Sequence, residues 1–182
     1  MMVVLYAGGD GGNLVAAIVD SSQYFLDIYD FKHVEYSPLT KWKESCTVWD
    51  AAKTNDERWK IMDDDFHDAS KNFPIIASHR IEYHINRRHN MLIIESTSPA
   101  AEQWRLSRLT KIFPWWDTQS HPAFNNEKNK QIQMRLLTAM QYTDKIIKLE
   151  DIINGKLIKV MKQWTDLPLN EELYKMWLDA NV

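Results

Sequence analysis

The apolar run Met2-Val3-Val4-Leu5-Tyr6-Ala7 is too short for a helix and stops at a glycine cluster, so it predicts a buried β-strand. Behind the glycines, Asn13-Leu14-Val15-Ala16-Ala17-Ile18-Val19 is apolar and helix-competent, and predicts a helix over about 12–22. Polarity alternates loosely from 24 to 36, predicting a short helical turn and then a strand around 31–35. Pro38 opens a helical stretch with Trp42, Cys46 and Trp49 near i, i+4, i+7. A polar helix over about 56–66 repeats that spacing in Trp59, Met62 and Phe66. Residues 73–79, with Pro74 near the start, and 91–95 read as further short strands. Ser98-Pro99 then supplies an N-cap and a proline at the first helical position, and the helix runs to about 111. It is expected to expose Arg105, Arg108 and Lys111 on adjacent turns.

Residues 113–124 form an aromatic, proline-punctuated loop containing Trp115-Trp116, of a length that is often functional. Asn125 or Asn126 caps a helix to about 142 with Ile132, Leu136 and Ala139 inward. A strand follows over 144–149, then a helix over 150–164 broken at Asn154-Gly155. Asn170 caps the last helix, which gathers Leu173, Met176 and Trp177 on one face. Strands alternating with helices imply an α/β fold of three layers, α/β/α, around a mostly parallel sheet, in one domain over 1–182. In such sheets ligands bind at the C-terminal ends of the strands, where the glycine loop, His79 and residues 95–97 all fall.

Composition narrows the partners. The net charge of −3 argues against a general nucleic-acid binder. Residues 1–72 hold 7 Lys/Arg against 13 Asp/Glu and the remainder 15 against 12, so an anion site should draw on the later half as well as the loop. Cys46 is the sole cysteine, which excludes an internal disulfide and implies a reducing, cytoplasmic setting. The N-terminal apolar run lacks a basic flank, so no signal peptide is expected, and no stretch reaches the roughly 20 apolar residues of a membrane span. Nothing in the pattern sets the oligomeric state.

Gly8, Gly9, Gly11 and Gly12 lie within five residues between the first strand and helix. Glycines allow a tight turn and close approach of N–H groups to an anion, and the helix N-terminus adds partial positive charge. The spacing is neither a Walker A motif, since Asn13 stands at the lysine position, nor the dinucleotide fingerprint. Two readings stand: an anion cradle, or a tight turn without a ligand. His79 at a strand end is either a general base or a wall residue. Arg105 and Arg108, three apart with Ser107 beside them, are either phosphate ligands or a solvated helix face. Asp63-Asp64-Asp65, with His67 and Asp68, reads as a solvated acidic turn rather than a hard-metal site. The five-residue spacing of His79, His84 and His89 disfavours zinc, and no metal is expected.

The strand–glycine loop–helix, Ser78-His79, and the tail Lys148-Leu149-Glu150-Asp151-Ile152 together resemble the sulfotransferase family of the P-loop NTPase fold, in particular its short marine-phage and environmental members. The resemblance touches most of the chain. It aligns Gly9-Asp10-Gly11-Gly12-Asn13-Leu14 with the phosphosulfate-binding loop and Ser78-His79 with the pair that carries the catalytic base. Residues 94–99 fall where the family has a strand leading into Arg-Asp-Pro, and Leu149-Glu150-Asp151-Ile152 looks like its Tyr-Glu-Asp-Leu. Asp10 stands at the usual lysine, and Thr97 at the usual arginine. The resemblance implies sulfonate transfer from 3′-phosphoadenosine-5′-phosphosulfate to a hydroxyl or amine. His79 would be the base, Gly9, Gly11, Gly12, Asn13 and Leu14 would form the phosphosulfate site, and Arg105, Ser107 and Arg108 would bind the 3′-phosphate. The alternatives are a non-catalytic nucleotide- or phosphate-binding protein of this fold and a structural protein with a degenerate site.

Overall fold

In the computed structural model, residues 1–7, 11–21, 24–26, 34–36, 55–112 and 126–182 are described. The expected helix with Trp42, Cys46 and Trp49, the aromatic loop over 113–124, and Gly8, Gly9 and Asp10 lie outside them. Strand β1 (Met2–Leu5) leads through the glycine turn into α1 (Gly12–Val19). Where a helical turn and one strand were expected, β2 (Tyr24–Leu26) and β3 (Val34–Tyr36) pair antiparallel, Tyr24 opposite Tyr36, beside α1. Loose alternation suits either state, and cross-strand pairing decides it. Helix α2 (Asn55–Asn72) runs past the expected end at 66. The extra turn carries a Lys71–Asp68 pair at 3.3 Å, a favourable i, i+3 spacing.

Next come β4 (Ile75–Ser78), α3 (Ile81–Asn86), β5 (Asn90–Glu95), α4 (Pro99–Ile112) and α5 (Asn126–Ala139). A 3₁₀ turn (Met140–Tyr142) extends α5, and β6 (Ile146–Lys148) and α6 (Leu149–Ile153) follow. Gly155, at φ 76°, separates α6 from α7 (Leu157–Met161), the break expected at Asn154-Gly155. The last helix, α8 (Glu171–Asn181), begins at Asn170, whose side chain accepts from the Leu173 N–H.

The four longer-range strands pair in the order β4-β1-β5-β6, all parallel. Side chains alternate across β1. Val4 and Tyr6 pack with Leu14, Ile18, Ile152 and Trp177, whereas Val3, Leu5 and Ala7 pack with Met62, Ile81 and Leu136. Helices therefore cover both faces, giving three layers, and burial on both sides explains why β1, β4 and β5 are almost continuously apolar. The chain leaves β1 for β4 on one side and leaves β5 for β6 on the other. In open parallel sheets ligands bind at such a reversal, which here falls at the C-terminal ends of β1 and β5.

Two orientations differ from expectation. Arg105 and Arg108 do not form an exposed stripe: they are 0% and 9% accessible. On α8 the inward positions are Tyr174 and Trp177, while Met176 is 41% exposed. The Tyr174 hydroxyl donates to the Ile152 carbonyl at 2.5 Å and accepts from the Leu157 N–H at 3.3 Å, which orients this helix on α6 and α7.

Candidate functional site

The two glycines at the start of α1 are required for different reasons. Gly11 is the N-cap at φ 82°, in the left-handed region, and its carbonyl accepts from the Val15 N–H at 3.0 Å. Gly12 lies under the Tyr6 ring, where a Cβ would fall 2.1 Å from Cδ1. The first turn of α1 has no side-chain cap and no carboxylate, so the positive end of the helix is not neutralised from within. Leu14 is buried, which leaves its N–H as the only group it can offer an anion. Asn13 is half-buried, and its Oδ1 accepts from the Tyr6 hydroxyl at 3.0 Å.

Strand β4 ends at buried Ser78, in register with Leu5, and the next residue, His79, is exposed. Its Nδ1 lies 3.0 Å from the Tyr6 carbonyl, and its ring centroid is 4.0 Å from that of Tyr6 at 43°. A carbonyl only accepts, so Nδ1 carries the proton, and in the neutral ring Nε2 holds the basic lone pair. Tyr6 thus joins the His79 imidazole to the N-terminal turn of α1. The sequence reading placed both at strand ends but did not single out Tyr6, which looks like one more apolar strand residue.

At the end of β5 the Thr97 hydroxyl donates to Glu95 Oε1 at 2.6 Å. Ser98 caps α4, its Oγ accepting from the Ala101 N–H at 3.0 Å while donating to Glu150. On α4, Ser107 is exposed and Arg105 wholly buried. Arg108 lies over Trp104 and Trp177, 5.7 and 5.4 Å from the ring centroids, and donates from Nε to Asn181 Oδ1 at 3.0 Å. These contacts tie Arg108 to α8.

A second polar cluster, behind β4, was not legible in the sequence. His84 lies in the last turn of α3, and Arg88, at φ 52°, turns the chain so that His89 meets it, Nδ1 to Nδ1 at 2.8 Å. The other nitrogen of His84 lies 2.8 Å from Ser78 Oγ. Burial, then the nearby His89, pushes the His84 pKa down to about 3. His89 stacks on Phe66 with centroids 3.8 Å apart, and its pKa is lowered mainly by burial, with Asp63 opposing. Asp63 is part of α2, not of a solvated turn: it accepts from Tyr83 at 2.9 Å and from Arg87 at 2.9 and 2.7 Å. The Arg87 hydrogen bonds hold its carboxyl below the usual range. Among the described residues, no three His, Cys, Asp or Glu side chains converge as a metal site.

A cavity of about 140 Å³ opens at the opposite, N-terminal edge of the sheet, lined by Met2, Val19, Pro74, Asn90 and Met161 among others. Among the described residues no helix is long and apolar enough to cross a membrane. Comparison of the chain with protein-family models, with curated proteins and with solved structures finds no match.

Proposed function

We propose that this chain is a sulfotransferase-like enzyme, with His79 as general base and the α1 turn as its anion site. The observation that supports this reading is the pair of Tyr6 contacts, to His79 Nδ1 and to Asn13, by which one residue touches both His79 and the start of α1. The anionic end of 3′-phosphoadenosine-5′-phosphosulfate fits the first turn of α1, which carries no carboxylate and no side-chain cap, while Asp10 stands just before it in the loop. When bound, that nucleotide supplies the sulfonate and leaves as 3′-phosphoadenosine-5′-phosphate.

The N–H groups of Gly11, Gly12, Asn13 and Leu14 hold the negative charge that grows at the leaving phosphate. His79 Nε2 takes the proton of the acceptor hydroxyl or amine, while Nδ1–H stays on the Tyr6 carbonyl and keeps the ring oriented. Of the 3′-phosphate ligands expected from the sequence, Arg105, Ser107 and Arg108, only Ser107 is exposed; Arg105 is wholly buried and Arg108 is held by Trp104, Trp177 and Asn181, so the proposal carries Ser107 alone. That commitment of Arg108 to Asn181 favours a second reading, a nucleotide- or phosphate-binding protein that uses the turn without catalysis.

Calorimetry and thermal shift with 3′-phosphoadenosine-5′-phosphate, ATP, GTP and sulfate separate the two. A ligand at a hundredfold excess over its Kd adds about 2.7 kcal/mol of stability. Enzymatic transfer is expected to respond only to the 3′-phosphorylated nucleotide and to fall at least about a hundredfold in His79→Ala. Unchanged transfer by that variant removes His79 from the mechanism, and stabilisation by ATP or GTP alone selects the second reading.

A further inference from the structure

We infer that Tyr6 is a positioning residue that sets the tautomer and orientation of the His79 imidazole. The inference rests on the proposed role of His79 as the base. Tyr6 is 7% accessible and makes contacts in three directions. Its carbonyl accepts from His79 Nδ1 at 3.0 Å, its ring faces the imidazole with centroids 4.0 Å apart, and its hydroxyl donates to Asn13 at 3.0 Å. The ring also occupies the space that a Cβ on Gly12 would need.

Each contact removes a freedom from its neighbour. The carbonyl selects the Nδ1–H form over the Nε2–H form that a solvated imidazole ordinarily favours. The ring limits rotation about the His79 side-chain bonds, keeping Nδ1 aimed at that carbonyl. The Asn13 and Gly12 contacts fix the Tyr6 ring against α1, so the anion turn and the imidazole share one support. Such a support favours one tautomer and one rotamer of an exposed imidazole, and proton transfer requires both.

The test is the ¹⁵N spectrum of the histidine-labelled protein at mildly alkaline pH. Wild type is expected to show a protonated Nδ1 and an unprotonated Nε2 at His79. Tyr6→Phe keeps the ring and is expected to keep that signature. Tyr6→Leu keeps the backbone carbonyl but not the ring, and is expected to return His79 to a mixed, mainly Nε2–H population. Val4→Ala, a buried β1 truncation on the same face, controls for general loosening and is expected to leave His79 unchanged. Should Tyr6→Leu fail to fold, Tyr6→Met is read in the same way. An Nε2–H wild type, an unchanged signature in the Leu or Met variant, or an equal change in Val4→Ala overturns the inference. No nucleotide or acceptor enters this measurement, so failure of the sulfotransferase reading and failure of the Tyr6 role are seen separately.

Discussion

At the scale of single residues, the glycine cluster divides into distinct requirements. Gly11 needs a left-handed backbone, whereas Gly12 needs the absence of a side chain, because the Tyr6 ring fills that space. Gly11→Ala is therefore expected to cost about 1 kcal/mol, the usual penalty of a left-handed alanine, and Gly11→Asn less. Gly12→Ala forces the Tyr6 ring to move within a packed layer and is expected to cost more than Gly11→Ala, towards the upper end of about 1–3 kcal/mol. Urea unfolding of the three variants checks the ranking, and equal losses at the two alanine variants would remove the steric argument for Gly12. The run of glycines was legible in the sequence. Its division was not, because Tyr6 reaches Gly12 only once strand and helix have packed.

At the scale of elements, α3 and β4 are locked by a buried histidine. The His84 pKa is depressed from 6.5 in the unfolded chain to about 3 in the folded state, so the unfolded chain binds more protons between those values. The stability contributed is complete above about pH 6.5 and is lost as pH falls towards 3. Asp63, also depressed, acts in the same direction below the ordinary carboxylate range. The urea midpoint is expected to be lower at pH 5 than at pH 7, and His84→Gln, which hydrogen-bonds without titrating there, is expected to flatten the difference. A wild-type midpoint independent of pH over this range would contradict the assignment. Arg108 plays the equivalent part between α4 and α8. Arg108→Ala removes its hydrogen bond and uncovers two indoles, with an expected loss of about 1–3 kcal/mol and faster hydrogen exchange over Glu171–Asn181. Arg108→Lys is not expected to restore it, since an ammonium lacks the planar face and the fixed donor fork.

At the scale of the whole molecule, the strand order points to where the proposed ligand is to be tested. The C-terminal edge of the sheet holds the α1 turn after β1, His79 after β4, and residues 96–98 after β5. Sulfate or 3′-phosphoadenosine-5′-phosphate is expected to shift the amide resonances of residues 11–14 and of 96–98. Those of Val19, Pro74's neighbour Ile75, and Asn90, at the opposite-edge cavity, are expected to stay. A titration that moves the second set alone would relocate the ligand to the N-terminal edge. The parallel sheet was foreseeable because its strands are apolar on both faces. The β2–β3 pair was not, since three-residue strands carry too short a pattern to separate from a turn.

The sequence by itself determined what depends on near neighbours: the four buried strands of the main sheet, the Ser98 and Asn170 caps, the break at Gly155 and the glycine turn into α1. Each is written in a period, a cap or a backbone requirement spanning a few residues. Only the tertiary structure decided the order of the strands, the burial of Arg105 and Arg108, the meeting of His84 with His89, and the hold of Tyr6 on His79. The last contact joins residues 73 positions apart, as does that of Arg108 with Asn181. Local periodicity records which face of an element is apolar, but it carries no information about which distant side chain will be packed against that face.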